Sequence, residues 1–245
     1  MKEWIVGRNP VYEVIAAEKR QLFNLHVKEG ANVKGRLGDI VQFCRTKDVA
    51  IKWAPSQELD ARFQNHQGVA IETSGYPYSN LDAILDLASQ RGEPPFILVL
   101  DTLQDPQNLA SLLRTAEIVG VHGVLLPLRR TVTVTPAVVK ASSGASEHLL
   151  ITQTNLAKAI QALKEENIWF VGLEGSPEAQ PPGEIDLGGP IALVVGGEEG
   201  GMRSLVRSSC DFLMRLPMRG KIESLNAAVA GSVALYLAWD ARGFQ

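Results

Sequence analysis

The chain has only two cysteines in 245 residues, Cys44 and Cys210, far apart and without a CxxC pair or a histidine at ligand spacing. A disulfide framework and a zinc site are thereby both disfavoured, so both cysteines read as small core residues. The four histidines, His26, His66, His122 and His148, are scattered singly and read as surface or satisfied core groups rather than metal ligands. Apolar runs are short and broken by charge, none near the roughly 20 residues a membrane helix needs, and Met1-Lys2-Glu3-Trp4 opens no apolar targeting region. No membrane partner is expected, and a cytoplasmic location follows. Positive charge is also scarce: 24 Lys and Arg stand against 27 Asp and Glu, for a net charge of -3. Binding nucleic acid through bulk charge is therefore disfavoured. The balance is uneven, because cations exceed acids by two in residues 1–75 and acids exceed cations by five in residues 76–245.

What the chain does have is core material, with 45% hydrophobic residues. Residues 1–75 read as a small α/β unit, with strands near 25–27, 51–53 and 69–71, helices over 11–17 and 37–44, and Trp4-Ile5-Val6-Gly7-Arg8-Asn9-Pro10 as a glycine-proline entry turn. Glycine and proline then cluster at 74–79 and 91–95 around a helical stretch at 81–90, which marks residues 76–95 as a linker. Beyond it apolar strands alternate with helices: strands at 96–100, 123–126, 149–151, 168–173, 191–195 and 212–216, helices at 107–119, from 136, and at 155–166, 202–209 and 223–239. Near-continuous apolar strands between helices imply a parallel sheet covered on both faces. The fold class is α/β, with a second domain over 96–245 and no internal repeat.

Three stretches carry more chemistry than their turns require. After the first strand of this domain, Asp105-Pro106 stops the chain and opens a helix with Asn108 near its start and Arg114 six residues on. An arginine among Leu112, Leu113, Ala116 and Ile118 calls for a partner, since a guanidinium keeps its charge. The strand at 191–195 breaks into Gly196-Gly197-Glu198-Glu199-Gly200-Gly201, which is neither GxGxxG nor a Walker loop, so pyrophosphate binding is not indicated. Two adjacent acids there face the start of the next helix, where one caps and the other is free for a cleft. The strand at 212–216 breaks into Pro217-Met218-Arg219-Gly220, followed by Ser224-Leu225-Asn226. Ser224 and Asn226 suit helix capping, but with Leu216, Met218 and Leu225 they also form the apolar wall and exposed amides that suit an adenine-containing ligand.

Together and in this order, the three stretches resemble the SpoU-type branch of the SPOUT RNA 2′-O-ribose methyltransferases, nearest to bacterial enzymes that methylate a guanosine ribose in 23S rRNA. The family's Asn, and the Arg of its R-[ST]-A sequence six residues on, are matched by Asn108 and Arg114-Thr115-Ala116. Gly196 to Met202 matches G-x-E-G-x-G-[LM], with Glu198 as the family acid and Glu199 where the family has glycine. Leu216-Pro217-Met218-Arg219-Gly220 with Ser224-Leu225-Asn226 matches the last motif, Leu216 replacing Ile. Residues 1–75, with Gly7-Arg8-Asn9-Pro10-Val11 and His66-Gln67-Gly68-Val69, are similar to the L30e-like RNA substrate-binding domain of many members.

The resemblance implies a trefoil-knotted parallel-sheet methyltransferase domain, S-adenosyl-L-methionine as methyl donor, no metal, an RNA substrate and a homodimer. It gives Arg114, Asn108, Glu198, Ser224 and Asn226 to catalysis, and Gly196, Leu216, Met218, Ser224, Leu225 and Asn226 to the cofactor. A guanidinium surrenders its proton only above about pH 12, so stabilising a forming alkoxide is the cheaper role for Arg114 than acting as base. Ribosomal RNA is the expected substrate, with transfer RNA as the alternative, and a non-catalytic RNA-binding protein on the same fold as a third reading. A nucleotide-dependent dehydrogenase is disfavoured by the missing GxGxxG.

Overall fold

The computed structural model describes residues 2–198, 200–222 and 224–244, and the chain divides into two compact units. The first comprises residues 1–77 and 134–148, the second 78–133 and 149–245.

In the first unit, strands β1 (Lys2–Val6), β2 (Leu22–Lys28), β3 (Ala50–Ala54) and β4 (Val69–Ser74) form a mixed sheet in the order β1-β4-β2-β3. β4 runs antiparallel to both neighbours, and β2 runs parallel to β3. Helices α1 (Arg8–Ala17), α2 (Arg36–Thr46) and α3 (Ser56–Arg62) pack on it. Ile5, Leu25, Val27, Val69 and Ile71 are fully buried on one face, and on the other Ala70 with Trp4 and Val6 packs against Leu59 and Phe63. The segment before Gly7, expected as an entry turn, is a strand because Trp4 and Ile5 pair with Glu72 and Ile71 of β4. α3 escaped the periodicity: only Leu59 of its seven residues is buried, too little to leave a pattern.

The second unit opens with α4 (Leu81–Arg91), inside the expected linker, which Asn80 caps by accepting from the Ala83 amide. Strand β5 (Phe96–Asp101), α5 (Pro106–Ile118) and β6 (Gly123–Pro127) follow, and the chain then carries α6 (Pro136–Ala141) before β7 (Ile151–Thr154) and α7 (Leu156–Glu165). Next come β8 (Trp169–Leu173), β9 (Ile191–Gly196), α8 (Ser204–Ser208), β10 (Phe212–Met214) and α9 (Ala227–Ala241). The six strands form one sheet, β10-β8-β9-β5-β6-β7, and every pair in it is parallel. Every residue of β5 and β9 is buried, the signature of a sheet covered on both faces. β7 begins at Ile151, so the strand expected at 149–151 lies further on. The last helix starts at Ala227; Glu223, its expected start, lies outside the described residues.

The connection between β6 and β7 departs from the expected division at residues 76–95, since 134–148 belongs to the first unit. Its anchor is an ion pair without solvent: the Arg20 guanidinium donates to both Glu147 carboxylate oxygens at 2.8 Å, and both side chains are 0% exposed. Glu3 and the Ser74 carbonyl accept from Arg20 Nη1 at 2.8 and 3.1 Å. The cysteines behave as core residues: burial pushes the Cys44 thiol up to about 11 and Cys210 up to about 12, which leaves both inert at neutral pH.

Candidate active site

β5 and β9 lie side by side with Asp101 opposite Gly196, while β6 and β7 extend the sheet one way and β8 and β10 the other. This reversal of strand order is where an open parallel sheet parts its loops and leaves a crevice at its carboxyl edge. Both crevice walls are set by local chemistry. After β5, Asp105 caps α5 by accepting from the Gln107 amide at 3.0 Å, and Pro106 occupies the first turn where its missing N–H costs nothing. Asn108 is thereby held at the helix entrance. After β9 the chain turns through glycines packed backbone on backbone: a Cβ on Gly196 would stand 2.2 Å from the Gly201 carbonyl carbon and 2.3 Å from the Met202 nitrogen. One on Gly197 would stand 2.6 Å from the Thr102 oxygen. Gly197 and Gly201 close the turn with reciprocal 3.1 Å hydrogen bonds.

Three expected residues meet across this crevice. The Asn226 side-chain oxygen caps α9, accepting from the Ala228 and Val229 amides at 2.9 and 3.2 Å. With its oxygen engaged, Asn226 turns its NH2 to the Asn108 side-chain oxygen at 3.1 Å. Asn108 in turn donates from Nδ2 to Glu198 Oε1 at 2.6 Å. The helix cap therefore fixes the direction of both amides and aims them at one carboxylate.

Beside this relay lies a cavity of about 410 Å³, whose lining includes Gly196, Glu198, Leu216, Met218, Ser224 and Leu225. Leu173, Val195, Met214, Ala227 and Ala230 extend its apolar wall. Its charged corner is Arg207, bound to Glu174 at 2.6 and 2.8 Å and to Glu178 at 2.9 Å, so the guanidinium is neutralised and its hydrogen bonds hold the Glu174 carboxyl below the usual range.

Arg114 stands apart. Helical periodicity turns Leu112, Leu113 and Ala116 inward, while Arg114 and Ile118 face solvent. Arg114 does not line the cavity and has no hydrogen-bond or ion-pair partner among the described residues, so its apolar neighbours in sequence are not its neighbours in space. The helix after the glycine turn is likewise organised otherwise than expected. It starts at Ser204, and Asp101, rather than Glu198, secures it. Fully buried at the end of β5, Asp101 accepts from the Arg203 backbone and Nε at 2.8 and 2.7 Å. An acid closing an apolar run reads as a strand end, so sequence reasoning missed it. Glu199 lies outside the described residues.

The SpoU rRNA Methylase family model matches residues 95–236, and the model for the RNA 2′-O ribose methyltransferase substrate-binding domain matches residues 4–79. The chain belongs to the SpoU methylase family. Among relatives of this SpoU protein, Bacillus subtilis YacO, named for the TrmH family of tRNA/rRNA methyltransferases, is 40% identical over 96% of this chain and 94% of its own length. A TrmH family protein of Staphylococcus aureus is 38% identical over 95% of this chain and 93% of its own. In fold the SpoU chain matches the methyltransferase AviRb of Streptomyces viridochromogenes, solved with S-adenosylmethionine, at a TM-score of 0.82, 21% identity and coverage of 98% and 90%. The RNA methyltransferase family and its parallel-sheet fold are therefore those the three motifs implied.

Proposed function

We propose that this SpoU protein transfers a methyl group from S-adenosylmethionine to a ribose 2′-hydroxyl of RNA, with a guanosine of 23S rRNA as its target. The observation that carries the reading is the Asn226–Asn108–Glu198 relay bordering a glycine-walled, largely apolar cavity. That cavity fits the donor: its size suits an adenosine-bearing ligand, Gly196, Gly200 and Gly201 border it without side chains, and its one guanidinium is already neutralised. A cationic sulfonium therefore meets no unbalanced positive charge. Bound there, S-adenosylmethionine would supply an electrophilic methyl carbon, its S–CH3 bond giving way to O–CH3 with S-adenosylhomocysteine as the leaving group and the 2′-hydroxyl proton passing to solvent.

The chain's own groups do the rest. Leu216, Met218 and Leu225 pack the adenine and ribose, while the Gly196 turn and the Ser224 to Asn226 segment lend polar contacts. Glu198, oriented by Asn108, accepts a hydrogen bond from the substrate ribose and fixes its angle of approach. Arg114, unneutralised among the described residues, stabilises charge developing on the attacking oxygen. The reading includes a homodimer. Val229, Val233 and Tyr236 expose 50, 41 and 45% of their surface along one face of α9, and Ile118 of α5 exposes 52%. α5 adjoins α9 through the 3.0 Å Thr115–Ser232 contact, so the apolar face is continuous with the helix carrying Arg114. The trefoil knot belongs to the same reading, supported by β10 lying outside β8 while the chain returns to Asn108.

Tritiated-methyl transfer to unmethylated 23S rRNA and tRNA transcripts tests the proposal: label in 23S rRNA supports it, label in tRNA alone moves the substrate, and label in neither overturns it. Arg114→Ala is expected to lower single-turnover methylation at least a hundredfold with unchanged cofactor affinity; near-normal turnover removes Arg114 from the mechanism. Gly196→Ala forces the turn apart and is expected to abolish S-adenosylmethionine binding in calorimetry, whereas retained affinity would place the donor elsewhere.

A further inference from the structure

Five of the twelve cations of the second unit have a side-chain hydrogen bond or ion pair among the described residues, Arg91 to the Gly120 carbonyl. Lys164 holds Asp211, Arg203 holds Asp101, Arg207 holds Glu174 and Glu178, and Arg242 donates to three backbone carbonyls. Seven exposed cations have no ion pair or side-chain hydrogen bond among the described residues: Arg114 on α5, Lys158 on α7, Arg215 directly after β10, and a further four, Arg129, Arg130, Arg219 and Lys221. The places of these last four in the fold are not scattered. Arg129 and Arg130, the only adjacent arginines in the chain, follow the carboxyl end of β6. Arg219 and Lys221 follow the carboxyl end of β10, on the segment that returns to Asn226. In the strand order β10-β8-β9-β5-β6-β7, Glu198 follows β9 and Asn108 follows β5. The relay therefore stands between two unpaired cation pairs, one on each side along the same edge of the sheet.

The β6 pair is also held in place. Thr131 Oγ1 and the Val132 amide both donate to the Leu103 carbonyl, at 3.0 and 2.8 Å. Leu103 is fully buried and lies in the short connection that presents Asn108. Arg130 itself sits at φ 59°, a left-handed conformation that is strained for a non-glycine residue and persists where the surroundings impose it. An exposed loop with no ligand has no evident reason to hold two like charges side by side in a strained turn.

We propose that Arg129 with Arg130, and Arg219 with Lys221, grip the phosphates on either side of the nucleotide whose ribose enters the crevice. The inference rests on the RNA-methylation reading and adds the backbone contacts to it. Residues 76–245 carry five more acids than cations, and Glu198 adds a carboxylate at the reacting centre, so a polyanion approaching this edge needs local cations to offset that field. Phosphate contacts fix register and orientation without reading sequence, which is what a flexible ribose requires before one hydroxyl is presented in line.

Filter binding of the full-length protein to a pool of unmethylated rRNA and tRNA transcripts, across a salt series, tests this. Arg129→Gln with Arg130→Gln is expected to weaken binding about tenfold and to make the dependence of log affinity on log salt shallower by about 1.5, since each phosphate contact contributes roughly 0.7 to 0.9 to that slope. Arg219→Gln with Lys221→Gln should do the same. S-adenosylmethionine affinity of the Arg129/Arg130 variant, measured by calorimetry, should equal that of the wild type. Lys158→Gln on α7, equally exposed and without a side-chain partner among the described residues, controls for bulk charge. An unchanged slope in the arginine variants, or an equal change per charge at Lys158, overturns the proposal. If the wild type binds none of the transcripts, the RNA reading itself fails.

Discussion

Asn226→Asp is expected to remove methyl transfer while leaving the protein as stable as the wild type, whereas Asn226→Ala loses both. The difference lies in the two duties of one amide. Its oxygen caps α9 through the Ala228 and Val229 amides, and its nitrogen donates to Asn108. An aspartate keeps the first duty, since its carboxylate accepts from both amides and gains from the partial positive charge of the helix start. It cannot perform the second. Asn108 then faces an acceptor where a donor stood, and the favourable response is to flip its own amide, which presents oxygen rather than N–H to Glu198. Losing one oriented donor at a reacting centre typically costs a hundredfold to a thousandfold in rate. Alanine adds the loss of the cap, about 1 kcal/mol, or a fall of roughly 2–4 °C in Tm for a chain of this size. Single-turnover methylation and thermal melts of both variants separate the duties, and an active Asn226→Asp enzyme would show that the relay does not orient Glu198.

Glu147→Gln is expected to produce the largest stability loss in the first unit. The Arg20 and Glu147 side chains are both 0% exposed, and the substitution leaves a buried guanidinium whose remaining acid is Glu3. Breaking such a pair from one side costs about 3–5 kcal/mol, because the desolvated charge stays behind. Replacing both partners by methionine should cost far less than the sum of the two single changes, since no charge is then stranded. Hydrogen exchange at the β1 and β4 amides reads this locally: protection should collapse in Glu147→Gln and largely survive in Arg20→Met with Glu147→Met. Equal losses in the two proteins would mean that shape rather than charge holds 134–148 in place.

The second sheet was legible in the sequence because burial on both faces writes itself as uninterrupted apolar runs, such as Phe96 to Leu100 and Ile191 to Val195. Asn108, Glu198 and Asn226 were legible for another reason: each sits just beyond such a run, at a glycine, proline or cap that marks a strand-to-helix turn. Residues whose role comes from partners far along the chain left no such mark. Arg20 and Glu147 are 127 positions apart and Asp101 and Arg203 are 102 apart, and no periodicity links them. Arg114 misled in the opposite direction, because adjacency to Leu112 and Leu113 says nothing of burial on a helix whose faces alternate every few residues. α3 and β1 were missed because one carries a single buried residue and the other gains its identity from pairing with β4.

The first unit begins at the amino terminus yet recruits residues 134–148, and during synthesis this sets an order of events. At about 5–20 residues per second, Arg20 is made several seconds before Glu147 exists. By then β5, α5 and β6 have already been synthesised. The amino-terminal sheet therefore waits, its guanidinium still hydrated, while the opening strands of the second unit are laid down, and the two units mature interleaved rather than one after the other.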